Sequence, residues 1–220
     1  MSDDNISEAE VEQLKVTASK AVESGADIHN EVRDITLKAL QQGKLDLEHI
    51  NKVIKAVTEG VSHGSSAQGG NAKEAVSQAV RGLDQALLAS VESSKLAVDE
   101  AAGRIKDFTQ QDVKRAINDV EGLEDIFLET LTGVAQTSSG AAKEIMTDLH
   151  SHLQRSGTAV GEKSGEVLSG LHHSLSQIGH ESAKSGLQMT QQTGESVARI
   201  ASGFLAGIAD SLQERNKSSK

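Results

Sequence analysis

Residues 123–153 read LEDIFLETLTGVAQTSSGAAKEIMTDLHSHL. Steps of four, four and three residues through this stretch visit Leu123, Phe127, Leu131, Val134, Ser138, Ala142, Ile145, Leu149 and Leu153. The same rule continues through Ser156, Val160, Ser164, Val167, Leu171, Leu175, Ile178, Ser182, Gly186, Met189, Thr193, Val197, Ile200, Phe204 and Ile208 to Ser211. None of these 25 positions is charged, and 17 of the 23 Val, Ile, Leu, Met and Phe residues between Leu123 and Ser211 fall on them. An eleven-residue apolar period corresponds to about 3.67 residues per turn, the spacing of a nearly straight or weakly right-handed helix seam. The stretch therefore predicts helix, with a seam that something must cover. Unbroken, it would extend about 130 Å, and a rod of that length cannot bury its own seam. It has to fold back, pair with another chain or lie on a surface.

The rule already operates upstream. Val76, Val80, Leu83, Leu87, Val91, Ser94, Val98, Ala102 and Ile105 form an uncharged seam of the same period. A new start is predicted at Phe108–Val113, where Thr109 can cap and Phe108 and Val113 can form a hydrophobic staple. Between Ser62 and Asn71 the sequence reads SHGSSAQGGN, aperiodic and rich in Gly and Ser, which predicts a flexible linker. Three short helices precede it. Ser7 and Glu10 have capping-box spacing, with Ile6 and Val11 as a staple. Gly25 and Gly43 are placed to end the first two helices. Leu47, Ile50, Ile54, Val57 and Val61 give a heptad seam to the third. The expected organisation is residues 1–61 as a three-helix segment, 62–71 as the linker, and 72–220 as a long-helix region. The fold class is all-α, with long amphipathic helices in a bundle or coiled-coil-like arrangement. Within the long region, glycines weaken the helix near Thr137–Gly140 and Ser156–Gly165. The seam nevertheless keeps phase across both, so long helices are expected, with Ser156–Gly165 the favoured turn.

Composition narrows the function. The chain has 220 residues, no Pro, Cys, Trp or Tyr, and three Phe. It therefore has no obligatory helix breaker and few of the large side chains that dominate broad cores. A formal net charge of −10 opposes binding to nucleic acid and to anionic head groups. Absence of Cys removes thiol and disulfide chemistry. The acidic N-terminus resembles neither a signal nor a transit peptide, and no apolar run approaches the roughly 20 residues of a membrane span. The expectation is a soluble, cytoplasmic protein with no transmembrane segment.

Motifs with chemistry are weak. Gly157–Ser164, GTAVGEKS, resembles a phosphate loop, but Glu162 separates the glycine from the lysine and no strand precedes it. Gly157, Gly161 and Gly165, like Gly203 and Gly207, have the spacing that lets helices approach closely. Glu144, Asp148 and His152 share a helix face, and His173 and His180 lie seven apart. All five sit off the seam, which favours a solvated face over a metal site. No catalytic, cofactor-binding or metal-binding residue is predicted, nor any cofactor.

The eleven-residue period without Pro or Cys, over most of Ala72 to Leu212, resembles three groups. These are the phasin-type proteins that coat bacterial polyester granules, the late-embryogenesis-abundant desiccation protectants, and lipid-droplet or apolipoprotein helices. The phasin-like resemblance implies an aromatic-poor, self-associating helical protein that covers a neutral apolar surface. Between Leu123 and Ser211 there are ten acidic and five basic residues, a bias that disfavours an anionic bilayer.

The expected function is therefore non-enzymatic and structural, through self-association as a homo-oligomer, pairing with another helical protein, or coating a neutral apolar surface. A chain that folds only on a surface or on drying is the alternative, and a metal- or ligand-binding bundle is third. The interaction seam is expected at Leu123, Phe127, Leu131, Val134, Ile145, Leu149, Leu153, Val160, Val167, Leu171, Leu175, Ile178, Met189, Val197, Ile200, Phe204 and Ile208.

Overall fold

Ser7 opens the first helix, α1 (Glu8–Ser24), with both halves of a capping box. The Glu10 amide donates to Ser7 Oγ (3.3 Å), and the Ser7 amide donates to Glu10 Oε2 (2.9 Å). The hydrogen bonds from Ser7 hold the Glu10 carboxyl below the ordinary glutamate range. Gly25 ends the helix at φ 68°, a left-handed position that glycine adopts without steric cost. The turn into α2 (Ile28–Gln41) places Asp27 at φ 44°, and the Asn30 side-chain amide donates to its carboxylate at 2.7 Å.

The computed structural model describes residues 6–42, 47–102, 110–170 and 172. After α2 come α3 (Leu47–Ser65), a 3-10 helix (Ser66–Asn71), α4 (Ala72–Ala102), α5 (Gln110–Thr137), α6 (Gly140–Ser156) and α7 (159–170). No strand occurs among the described residues, so the chain is all-α as its periodicity predicts. The expected start at Phe108–Thr109 lies outside the described residues.

Contacts divide the chain into two compact units, residues 1–88 with 122–162, and 89–121 with 163–220. In the first, α3 is the central helix. It packs on α1, α2 and α6, and it buries far more than its heptad seam: Val53, Ala56, Thr58, Gly60, Ser62, Gly64 and Ser65 are enclosed as well as Ile50, Ile54, Val57 and Val61. The closest approach is made by glycine. A Cβ on Gly60 would overlap the Lys15 carbonyl, and one on Gly64 would overlap the Ser19 carbonyl, so α1 and α3 touch backbone to backbone. Gly82 gives α4 the same intimacy with the His29 carbonyl of α2. In the second unit Val91, Val120 and Val167 are buried, and Lys163 Nζ pairs with Glu166 (2.8 Å) and Glu92 (3.5 Å).

The stretch expected to be a flexible linker is instead structured. Residues 62–65 complete α3, and 66–71 form a 3-10 turn that packs on α1 and α3. Gln68 Nε2 donates to the Val22 carbonyl (2.6 Å) and the Glu23 carbonyl (3.1 Å), which satisfies backbone left open at the end of α1. The Gly and Ser content of this stretch serves close packing and the turn at Gly69 (φ 52°) rather than slack. The first division between compact units falls after Leu88.

Candidate functional site

The long seam does not run as one rod. It stops at Thr137 and restarts at Gly140, whose φ is 58°; it stops again at Ser156, with Gly157 at φ 82°. Both breaks fall where Gly and Ser relax the helical preference. The three segments meet different fates. In α5, Leu123, Phe127, Leu131 and Val134 are buried in the chain's own core. In α6, Ile145, Leu149 and Leu153 are only half-buried, while Ala142 and the off-seam Met146 point inward. In α7, Val160 and Val167 are buried again. Leu171, Leu175, Ile178, Met189, Val197, Ile200, Phe204 and Ile208 lie outside the described residues.

The segment that resembles a phosphate loop is now explained. Its helix start is capped by carboxylates of the chain itself. The Ala159 amide donates to Asp84 Oδ2 (2.8 Å) and the Val160 amide to Asp84 Oδ1 (2.9 Å). Thr158 Oγ1 accepts from the Gly161 amide (2.9 Å) and donates to Glu124 Oε1 (2.6 Å). The Glu124 carboxylate occupies the space that a Cβ at residue 161 would need. The first-turn amides that could cradle a phosphate are thus already filled. Asp84 itself is 8% exposed. Burial pushes its carboxyl above the ordinary aspartate range, against the two amide hydrogen bonds, and the nearby Glu124 charge adds to the rise. Both Asp84 oxygens are engaged, which suits a cap and not a proton shuttle.

Sequence reading missed this constellation. The available signal was a lone acid, Asp84, within the apolar run GLDQALLASV, together with a Thr158 three residues before Gly161 at a helix start. Of the glycines with close-packing spacing, Gly161 is tightly approached, by the Glu124 carboxylate, while space is open around Gly157 and Gly165; Gly203 and Gly207 lie outside the described residues. The tight helix crossing lies at Gly60 and Gly64.

Beside α3 an open groove of about 300 Å³ is lined by Lys15, Glu59, Ser62, His63, Ser138 and neighbours. Lys15 is paired with Glu59 at 3.3 Å, and Ser62 Oγ lies 2.6 Å from Ser138 Oγ. These interactions tie α1 to α3 and α3 to the α5–α6 turn. Glu144, Asp148 and His152 are exposed on α6, with Asp148 3.7 Å from Lys73. Among the described residues no group of three metal-ligating side chains assembles. His173 and His180 lie outside those residues.

No helix among the described residues is long and apolar enough to cross a membrane. Fold and seam together define an all-α protein of packed amphipathic helices. Residues 4–214 match the family described as "Family of unknown function (DUF6781)", and the chain belongs to that family. Neither the curated proteins nor the solved structures give a match.

Proposed function

We propose that this chain is a non-enzymatic helical interaction protein whose seam, wherever its own bundle leaves it uncovered, pairs with further copies and covers a neutral apolar surface in a phasin-like way. The observation that supports this most is the partial burial of Ile145, Leu149 and Leu153 on α6, which carry the same uncharged period that α5 buries fully. An apolar stripe left half in water gains free energy, on the order of 25 cal/mol per Å², when another surface removes it from water. The two-to-one excess of acidic over basic residues along the stretch directs it away from anionic bilayers and toward a neutral surface or another helix.

Light scattering on a sizing column, with far-ultraviolet circular dichroism of the same peak, tests the reading. A strongly helical species heavier than one chain is expected. Leu149→Asp should reduce that mass while leaving helicity in place. A helical monomer whose adsorption to a neutral triglyceride emulsion is unchanged by Leu149→Asp would overturn the proposal.

A further inference from the structure

We infer that Asp84 and Glu124 form an interhelical latch that fastens the first turn of α7 to the α4–α5 face of its unit. The latch sets whether that turn, with Val160, is held or released. Its use as a control rests on the proposed role of the seam; the latch itself does not.

Most helix starts are capped by a residue of the same segment, as Ser7 caps α1. Here Thr158 is a local cap, but the two amides that follow it are satisfied from α4, 75 residues earlier for Ala159 and 76 for Val160. Thr158 is in turn held by Glu124 of α5, 34 residues earlier. The start of α7 is thus gripped on two sides by side chains of other helices. Immediately before it the backbone turns through Gly157 at φ 82°, with no neighbouring atom within 4 Å of where a Cβ would lie. Open space and a glycine torsion give a pivot. Val160, fully buried, is the apolar residue that the grip keeps out of water.

The grip is strong in geometry and costly in charge. The two amides and the positive end of α7 favour an ionised Asp84. Its near-complete burial and the Glu124 carboxylate oppose it. Opening returns Asp84 to water and recovers hydration, which offsets part of the loss of two hydrogen bonds. A contact balanced in this way can release one segment without unfolding α1–α3.

Amide hydrogen exchange on the full chain tests the latch without any partner. Asp84→Ala should speed exchange at residues 159–161 by about tenfold, the scale of a lost helix cap, while the amides of α1 and α3 keep their protection. Glu124→Gln keeps an acceptor for Thr158 and removes the like charge beside Asp84, so it should slow exchange at the same amides. Unchanged exchange in Asp84→Ala overturns the latch. Loss of protection in α1 and α3 to the same degree also overturns it, because Asp84 would then support the whole unit. Adsorption to a neutral triglyceride emulsion is read separately. Faster adsorption of Asp84→Ala supports its use as a control. Released amides with unchanged adsorption would leave the latch standing and overturn that use.

Discussion

Helices α5 and α6 carry the same eleven-residue rule and end up in different places. In α5 the seam residues Leu123, Phe127, Leu131 and Val134 are all enclosed, Phe127 completely. In α6 the corresponding residues Ile145, Leu149 and Leu153 stand at the edge of the core, and Met146, one position off the rule, is the fully buried side chain. The break at Ser138–Ser139 and the left-handed torsion at Gly140 lie between them. A helix that restarts after a turn keeps its sequence period but takes a new rotation about its axis. The apolar stripe then points where the turn sends it. Periodicity therefore identifies an apolar face but not its cover.

The sharpest way to break this contrast is to truncate one residue on each helix. Phe127→Ala should cost about 3–5 kcal/mol, because it empties a fully packed site. Leu149→Ala should cost well under half of that in the monomer, because the side chain already meets water. Urea denaturation at matched concentration reads both, and equal losses would erase the distinction between the helices.

Glycine offers a second contrast. Gly60→Ala pushes a methyl group into the Lys15 carbonyl, and that backbone cannot step aside cheaply. A loss of about 1–3 kcal/mol is expected, despite the better helix propensity of alanine. Gly133, on the exposed side of α5, has open space around it. Gly133→Ala should therefore stabilise by up to about 1 kcal/mol. Thermal midpoints of the two variants should move in opposite directions. Movement in the same direction would mean that the α1–α3 crossing is looser than the structure has it.

The smallest effect is electrostatic. Asp84 holds its proton more tightly folded than unfolded, since burial raises its carboxyl. The folded state then binds more protons, and the stability contributed by this group falls as pH rises through the raised value. The stability difference between the natural chain and Asp84→Asn should shift in favour of the natural chain as pH is lowered from neutral to mildly acidic. Glu10 works in the opposite sense: its carboxyl is lowered, so its contribution is lost on acidification. Comparing the two Asp84 forms removes that background. A difference that does not change with pH would show that Asp84 is not desolvated as its burial implies.

Much of the fold was legible because local physics sufficed. The capping box at Ser7 and Glu10, the stop at Gly25, the seam of α4 from Val76 to Val91 and the buried face of α5 all follow from spacing. The region 62–71 misled because Gly and Ser have two uses. They loosen an isolated chain, and they also let helices touch; Gly64 against the Ser19 carbonyl serves the second use. The latch was hidden for a different reason. Asp84, Glu124 and Thr158 are far apart in sequence, and a charged residue beside an apolar seam reads as solvated until another helix covers it.

By itself, the sequence determined that this protein is helical, where α1 and α2 begin and end, and which face of each described helix is apolar. Those properties depend on neighbours within one or two turns. Only the tertiary structure decided which faces are covered, that α3 sits at the centre of its unit, and that two carboxylates fasten the start of α7. Cover, close approach and burial of charge are properties of segments brought together from distant parts of the chain, and no local period encodes which segments those are.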